Sequence, residues 1–190
     1  MDIQPAKVAY TMRKGEFLFL GREYPLDYPD FGKIWGDFLS GGHGGYATLE
    51  KFQVEGAPDM NAFLRRPPDR RAYMIGKIVE GIDRAPDGFS LLRIPASDYL
   101  AVTYEWVPAG AGFNHHTGEF GNEQNWEVLS MPPETRLGRW ECLERIADLR
   151  APDGFRVRAG EGNPIYFFEV DRFHTSDGDR IEFWVPIERA

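Results

Sequence analysis

Tyr166-Phe-Phe-Glu-Val-Asp-Arg-Phe173, a polar turn through Ser176-Asp177-Gly178, and then Ile181-Glu-Phe-Trp-Val-Pro-Ile187 form the stretch that decides the fold. Aromatic and β-branched residues dominate both runs and an Asp-Gly lies between them, which predicts a β-hairpin. Successive side chains of a strand point to opposite sides of the sheet. Sorted that way, Tyr166, Phe168 and Val170 join Ile181, Phe183, Val185 and Ile187 on an almost purely apolar face. Phe167, Glu169, Asp171 and Phe173 join Glu182, Trp184 and Glu188 on a face that mixes rings with carboxylates. Such a mixture suits neither a plain core nor a plain solvent surface, and it is predicted to line a site.

Upstream, Phe17-Leu-Phe-Leu20 reads as a short strand ended by Gly21. Pro29-Asp30 then opens a segment with Phe31, Ile34, Trp35, Phe38 and Leu39 at the spacing of one helical stripe, stopped by Gly41-Gly42. Residues 40–71 are rich in Gly, Pro and charge and are predicted to be a long, partly irregular connection. Residues 72–81 read as a strand, Pro86-Asp87-Gly88 as a turn, 89–95 as its hairpin partner and 99–107 as a further strand. The Gly- and Asn-rich residues 108–131 read as a second long loop, with a short ordered piece at 126–129. Pro132-Pro133 leads a helix to about Leu149, its inner side formed by Leu137, Trp140, Leu143, Ile146 and Ala147.

An internal parallel organises these pieces. Ile82-Asp83-Arg84, Asp87-Gly88 and Leu92-Arg93-Ile94-Pro95 match Val170-Asp171-Arg172, Asp177-Gly178 and Phe183-Trp184-Val185-Pro186 in order and character. Each set is a strand, an Asp-Arg, an Asp-Gly turn and a strand ending in an aliphatic residue plus Pro. The fold class that follows is α+β: two pseudo-symmetric strand-helix-strand-strand repeats forming one antiparallel sheet, with two main helices packed on one face.

Composition narrows the function. A chain of 190 residues with net charge −8 can build a sizeable core and repels phosphate backbones in bulk. Its one basic cluster, Arg65-Arg66-Pro-Pro-Asp-Arg70-Arg71, reads as a solvated loop rather than a DNA-reading helix. The single Cys142 excludes an internal disulfide framework, and mid-helix it reads as an inert packing residue. His43 and His115-His116 stand in Gly-rich stretches without ligand spacing, so no metal and no cofactor is expected. The N-terminus lacks the order of a signal peptide and no apolar run reaches membrane-spanning length; the expected setting is cytoplasmic.

Taken in order, several pieces of the chain resemble the GyrI-like effector-binding domain, the ligand-binding module of AraC- and MerR-type multidrug-sensing regulators. They are Tyr73-Met-Ile-Gly76, Pro86-Asp-Gly-Phe89 to Ile94-Pro-Ala96, Tyr99-Leu-Ala-Val102, the helix with Trp140, the Gly154-Phe155 turn, Phe168-Glu-Val170 and Ile181-Glu-Phe-Trp-Val-Pro-Ile187. The resemblance spans roughly 72–107 and 133–187 and implies a single domain over residues 1–190 that stands alone, without its own DNA reader. It departs where the family's Phe-Glu-x-Tyr reads Phe168-Glu169-Val170-Asp171.

That resemblance implies that Glu169 faces a cleft and meets cationic or polar groups of flat aromatic ligands. The physics agrees: desolvating a carboxylate among rings disfavours its charged form, and a lipophilic cation restores the counter-charge while stacking on the rings. Phe167, Glu182 and Trp184 share the expected face, and Tyr104 and Trp106 are candidates for the opposite wall; Trp35 belongs to the core. Glu182 has a plainer alternative as a cross-strand ion pair with Arg172. The leading expectation is therefore a binder of amphipathic, cationic or aromatic small molecules, for sensing or sequestration, acting without direct nucleic-acid or membrane contact and with room for a homodimer. The alternative is a hydrolase of cyclopropanoid-type reactive molecules, with Glu169 or Glu182 activating water and Tyr104 donating a hydrogen bond.

Overall fold

The structure, a computed structural model, describes residues 9–26, 31–40, 44–68, 70–108, 113–114, 119–120, 151–158, 164–175 and 178–190. Nine strands make one antiparallel sheet: β1 (Ala9–Lys14), β2 (Phe17–Pro25), β3 (Asp59–Arg66), β4 (Arg70–Val79), β5 (Ser90–Ile94), β6 (Ser97–Pro108), β9 (Phe155–Val157), β10 (Ile165–Thr175) and β11 (Gly178–Arg189). The order across it is β1-β6-β11-β10-β3-β4-β2-β5, with β9 pairing β11 off that path. Two-residue strands β7 (Phe113–Asn114) and β8 (Glu119–Phe120) pair with each other within the expected loop 108–131. Helices α1 (Phe31–Ser40) and α2 (Gly45–Leu49) are short.

Both faces of the sheet are apolar. On one, Leu20, Phe63, Tyr73, Ile75, Phe167, Phe183 and Val185 pack with Ile34 and Phe38 of α1 and Leu49 of α2. The other buries Phe19, Met60, Met74, Tyr99, Phe168 and Trp184. Phe17 and Phe19 of β2 meet Phe168 of β10 with ring centroids 5.8 and 5.5 Å apart, although β4 and β3 lie between those strands. In a flat sheet three strand steps amount to about 14 Å. The sheet is therefore curled into a half-barrel, helices outside and the second core in its hollow.

Two facing glycines sit at the bend. Gly21 of β2 is directly opposite Gly76 of β4. A methyl group on Gly76 would stand 2.5 Å from the Leu20 carbonyl oxygen and 2.8 Å from the Phe19 ring, so only the bare backbone lets that ring lie across β4 toward Phe168.

The hairpin of β10 and β11 is present, but its faces differ from the expectation. Phe168 pairs with Trp184, Glu169 with Phe183 and Val170 with Glu182. Directly opposed residues share a face, so Glu169 and Phe167 lie on the helix side whereas Glu182 and Trp184 lie in the hollow. The register shift between Arg172 and Thr175 sets this parity, and one residue of slip exchanges every side chain between faces.

Three further expectations are corrected. Residues 40–71 hold α2 and the central strand β3 rather than an irregular connection, because Met60, Ala62 and Leu64 bury one edge of the alternation and Asn61 and Phe63 the other. Residues 72–95 are not a hairpin: β2 intervenes and pairs with both β4 and β5, while Pro86-Asp87-Gly88 closes its turn through Phe89 N–H to the Pro86 carbonyl at 3.1 Å. Leu39, assigned to the buried stripe of α1, is 65% exposed at the helix end, whereas Ile34 and Phe38 are buried. The expected ordered piece at 126–129 and the helix ending near Leu149 lie outside the described residues. No described helix is long and apolar enough to cross a membrane.

Candidate functional site

Cross-strand register assembles a ladder of rings on the helix face. Phe167, Phe63 and Tyr73 oppose one another in turn along β10, β3 and β4. Their centroids, with Phe183 at one end and Phe31 of α1 at the other, follow at 4.8 Å (Phe183–Phe167), 4.4 Å (Phe167–Phe63), 4.9 Å (Phe63–Tyr73) and 5.1 Å (Tyr73–Phe31). Offset and edge-to-face pairs at such spacings attract beyond their buried area. Phe31 begins α1, so the helix stripe that buries Ile34 and Phe38 also roofs the ladder.

One step along the strands, Glu169 opposes Asn61. Its carboxylate is only 4% exposed at the residue level, and Oε1 accepts from Asn61 Nδ2 at 3.3 Å and from Tyr73 OH at 3.4 Å. Both donors are neutral and both bonds are at the long, weak end of the range. A further step along, Asp171 opposes Asp59, and Asp59 opposes Lys77. Lys77 is buried, pairs with Asp59 and holds its ammonium 5.3 Å from the Tyr46 ring centroid. Burial first, and then the charges of Asp59, Asp171 and Glu50, push the Tyr46 hydroxyl well above its ordinary range. Acidic groups from β10 and β3 therefore collect at one end of an aromatic floor.

The second expected carboxylate stands in a different place. Glu182 is fully buried in the hollow, where Oε2 accepts from Tyr10 OH and Trp184 Nε1, each at 2.9 Å. Lys14 sits 4.9 Å above the Trp184 ring. The residue opposite Arg172 is Arg180 and not Glu182, so the cross-strand ion pair weighed for Glu182 does not match the register. Of the expected site residues, Glu169 and Phe167 share one face and Glu182 and Trp184 share the other.

Tyr104 and Trp106 lie on β6, Trp106 opposite Arg180 and Tyr104 inside the register shift between Thr103 and Glu105; their side chains are outside the described residues. Trp35 is half-buried against Phe38 and Tyr46, with centroids at 6.0 and 6.3 Å. His43, His115, His116 and Cys142 fall outside the described residues. Among the described residues no cluster of three His, Cys, Asp or Glu side chains could hold a metal ion. The residues that complete the site but escaped the sequence are Asn61, Tyr73, Lys77, Asp59 and Tyr46. The alternation of Met60, Ala62 and Leu64 was the signal that a strand presents Asn61.

No family model matches the chain, and no curated protein matches it. Solved structures do. SAV2435 bound to tetraphenylphosphonium superposes with a TM-score of 0.57 at 13% identity, covering 95% of this chain and 93% of that one. A protein from Staphylococcus aureus MU50, described in terms of bacterial transcription regulation, matches with a TM-score of 0.55 at 13% identity, over 95% and 97% of the two chains. EcmrR in complex with DNA matches at 0.52 and 10% identity, over 96% of this chain and 57% of that longer one. Likeness at such identity speaks to architecture alone, and with the curled antiparallel sheet and its outer helices it shows that this chain shares the fold of these proteins, in keeping with the resemblance to the GyrI-like effector-binding domain.

Proposed function

We propose that the protein binds flat, lipophilic cations at Glu169, for sensing or sequestration. The observation that carries this is a carboxylate, 4% exposed, placed beside a five-ring ladder and met by long hydrogen bonds from neutral Asn61 and Tyr73. A buried carboxylate is costly to keep charged, and an arriving cation offsets that cost while its flat body gains about 0.5–2 kcal/mol per cation–π contact. That SAV2435, of the same fold, was solved with tetraphenylphosphonium supports the choice of ligand class.

The strand order adds a second support. Split in the middle it yields β1-β6-β11-β10 and β3-β4-β2-β5, and the seam is the β10–β3 pair, where Glu169 faces Asn61. We take these halves as the pseudo-equivalent repeats and the seam as the floor of the cleft. Phe167, Asn61, Tyr73 and Phe63 line it, Tyr104 and Trp106 are its proposed further wall, and Glu182 with Trp184 brace the sheet from behind.

Titration with tetraphenylphosphonium, followed by tryptophan fluorescence, tests the assignment. Glu169→Gln keeps the shape and removes the charge, and it should weaken binding about tenfold or more. Glu182→Gln should leave affinity within about twofold, since it sits on the other face. Equal affinity of wild type and Glu169→Gln would sink the role given to Glu169.

A further inference from the structure

The four arginines of the basic cluster 65–71 stand on strands rather than in a loop. Arg65 and Arg66 end β3, Arg70 and Arg71 begin β4, and the register sets Arg65 opposite Arg71 and Arg66 opposite Arg70. Like charges directly opposed across an antiparallel pair are destabilising. One of the two pairs has an answer within the chain: Glu23 grips Arg66 with both oxygens, at 2.9 Å to Nε and 2.6 Å to Nη2.

The other pair has none. Among the described residues, no carboxylate pairs with Arg65 or Arg71, in a chain with 30 acidic residues against 22 basic ones. The Nε of Arg65 is buried and makes no hydrogen bond. Its guanidinium lies 4.5 Å over the Tyr166 ring, which restricts its plane, and Arg71 is half-buried beside it. Two partly buried guanidinium groups on one face, one of them fixed by a ring, present the forked donors that oxyanions accept.

We propose that Arg65 and Arg71 form an oxyanion site for the phosphate, sulfate or carboxylate group of a small molecule. It lies four residues along β3 from Asn61, about 13 Å from the Glu169 row at the strand rise, and so it is distinct from the cation cleft. Bound anion relieves the repulsion and supplies the buried Nε with an acceptor.

The test is thermal melting of the full chain against sodium phosphate, with sodium chloride at matched ionic strength, in wild type, Arg65→Gln, Arg71→Gln, Arg70→Gln and Glu169→Gln. Phosphate should raise the melting temperature of wild type, Arg70→Gln and Glu169→Gln. In Arg65→Gln and Arg71→Gln the half-saturating phosphate concentration should rise about tenfold or more. Without phosphate at low salt, Arg71→Gln should melt above wild type, because the opposed charge is gone. Phenyl phosphate binding more tightly than inorganic phosphate assigns the group to an organic molecule, and equal binding assigns it to the free ion. The proposal falls if all variants respond alike, if chloride reproduces the effect, or if a DNA duplex outcompetes phosphate with Arg70 contributing as much as Arg71.

Discussion

Two glutamates on neighbouring strands, both nearly sealed from solvent, are held in contrasting ways. Glu182, in the hollow of the half-barrel, takes bonds of 2.9 Å from Tyr10 and Trp184. Glu169, under the helices, takes bonds of 3.3 and 3.4 Å from Asn61 and Tyr73. Tyr10 belongs to the edge strand β1 and Trp184 to central β11, so Glu182 ties edge to centre. Glu169 sits on the β10–β3 pair opposite Asn61 and borders a row of rings. The contrast is between single oxygens, since among the described residues Glu182 Oε1 makes no hydrogen bond while its Oε2 takes two short ones, and the role proposed for Glu169 rests on its long bonds and its neighbouring rings.

The contrast is easiest to break at Glu182. Glu182→Ala strands the buried Trp184 Nε1, removes the partner of the exposed Tyr10 hydroxyl and opens a cavity, and should cost about 3 kcal/mol in urea unfolding. A loss under about 1 kcal/mol would remove the distinction between the two acids. Next comes alkaline stability. Burial pushes the hydroxyl of Tyr99, in the hollow, from 10.0 to about 12. The fold favours its neutral form, so this contribution is fully present below pH 10 and is lost as pH rises through 12, on the order of 2 kcal/mol. Tyr99→Phe should flatten part of the melting-temperature fall in that window while leaving the part that Tyr46 contributes from the helix face. Superimposable pH profiles would show that the hollow does not resist ionisation.

Gly76→Ala probes the bend that separates the faces. Crowding against the Leu20 carbonyl and the Phe19 ring should cost about 2 kcal/mol, read by calorimetry. A neutral result would mean that the curl does not depend on this β2–β4 contact. The smallest effect is expected at Glu169 itself: Glu169→Gln should change stability by less than about 0.5 kcal/mol while ligand affinity drops. A large stability loss there would make Glu169 a second structural tie.

The sequence disclosed local elements better than their pairing. The stripe of Phe31, Ile34 and Phe38 placed α1 because helical periodicity is written in consecutive residues, and Leu39 failed only where the helix runs out of partners. The β10–β11 hairpin was legible from its turn and its β-rich runs, but not its parity. Parity depends on the shift between Arg172 and Thr175, and no composition rule reports a bulge. Glu169 is grouped by the sequence with Phe167, which shares its face, and with Glu182 and Trp184, which lie on the other face for that reason. β3 was hidden because charged and Pro-rich flanks masked a short alternation, and with it went Asn61, the residue that faces Glu169. The insertion of β2 between β4 and β5 is a long-range pairing that an Asp-Gly turn cannot announce.

The curl has one more effect, on binding entropy. Phe168 is clasped from the hollow by Phe17, Phe19 and Tyr99, with centroids 5.8, 5.5 and 6.2 Å away. Glu169 is the next residue and points to the other side. Its backbone thus rests on a clasp on the face opposite the proposed site, and under that proposal the freedom it would otherwise lose on binding is already lost when the chain folds.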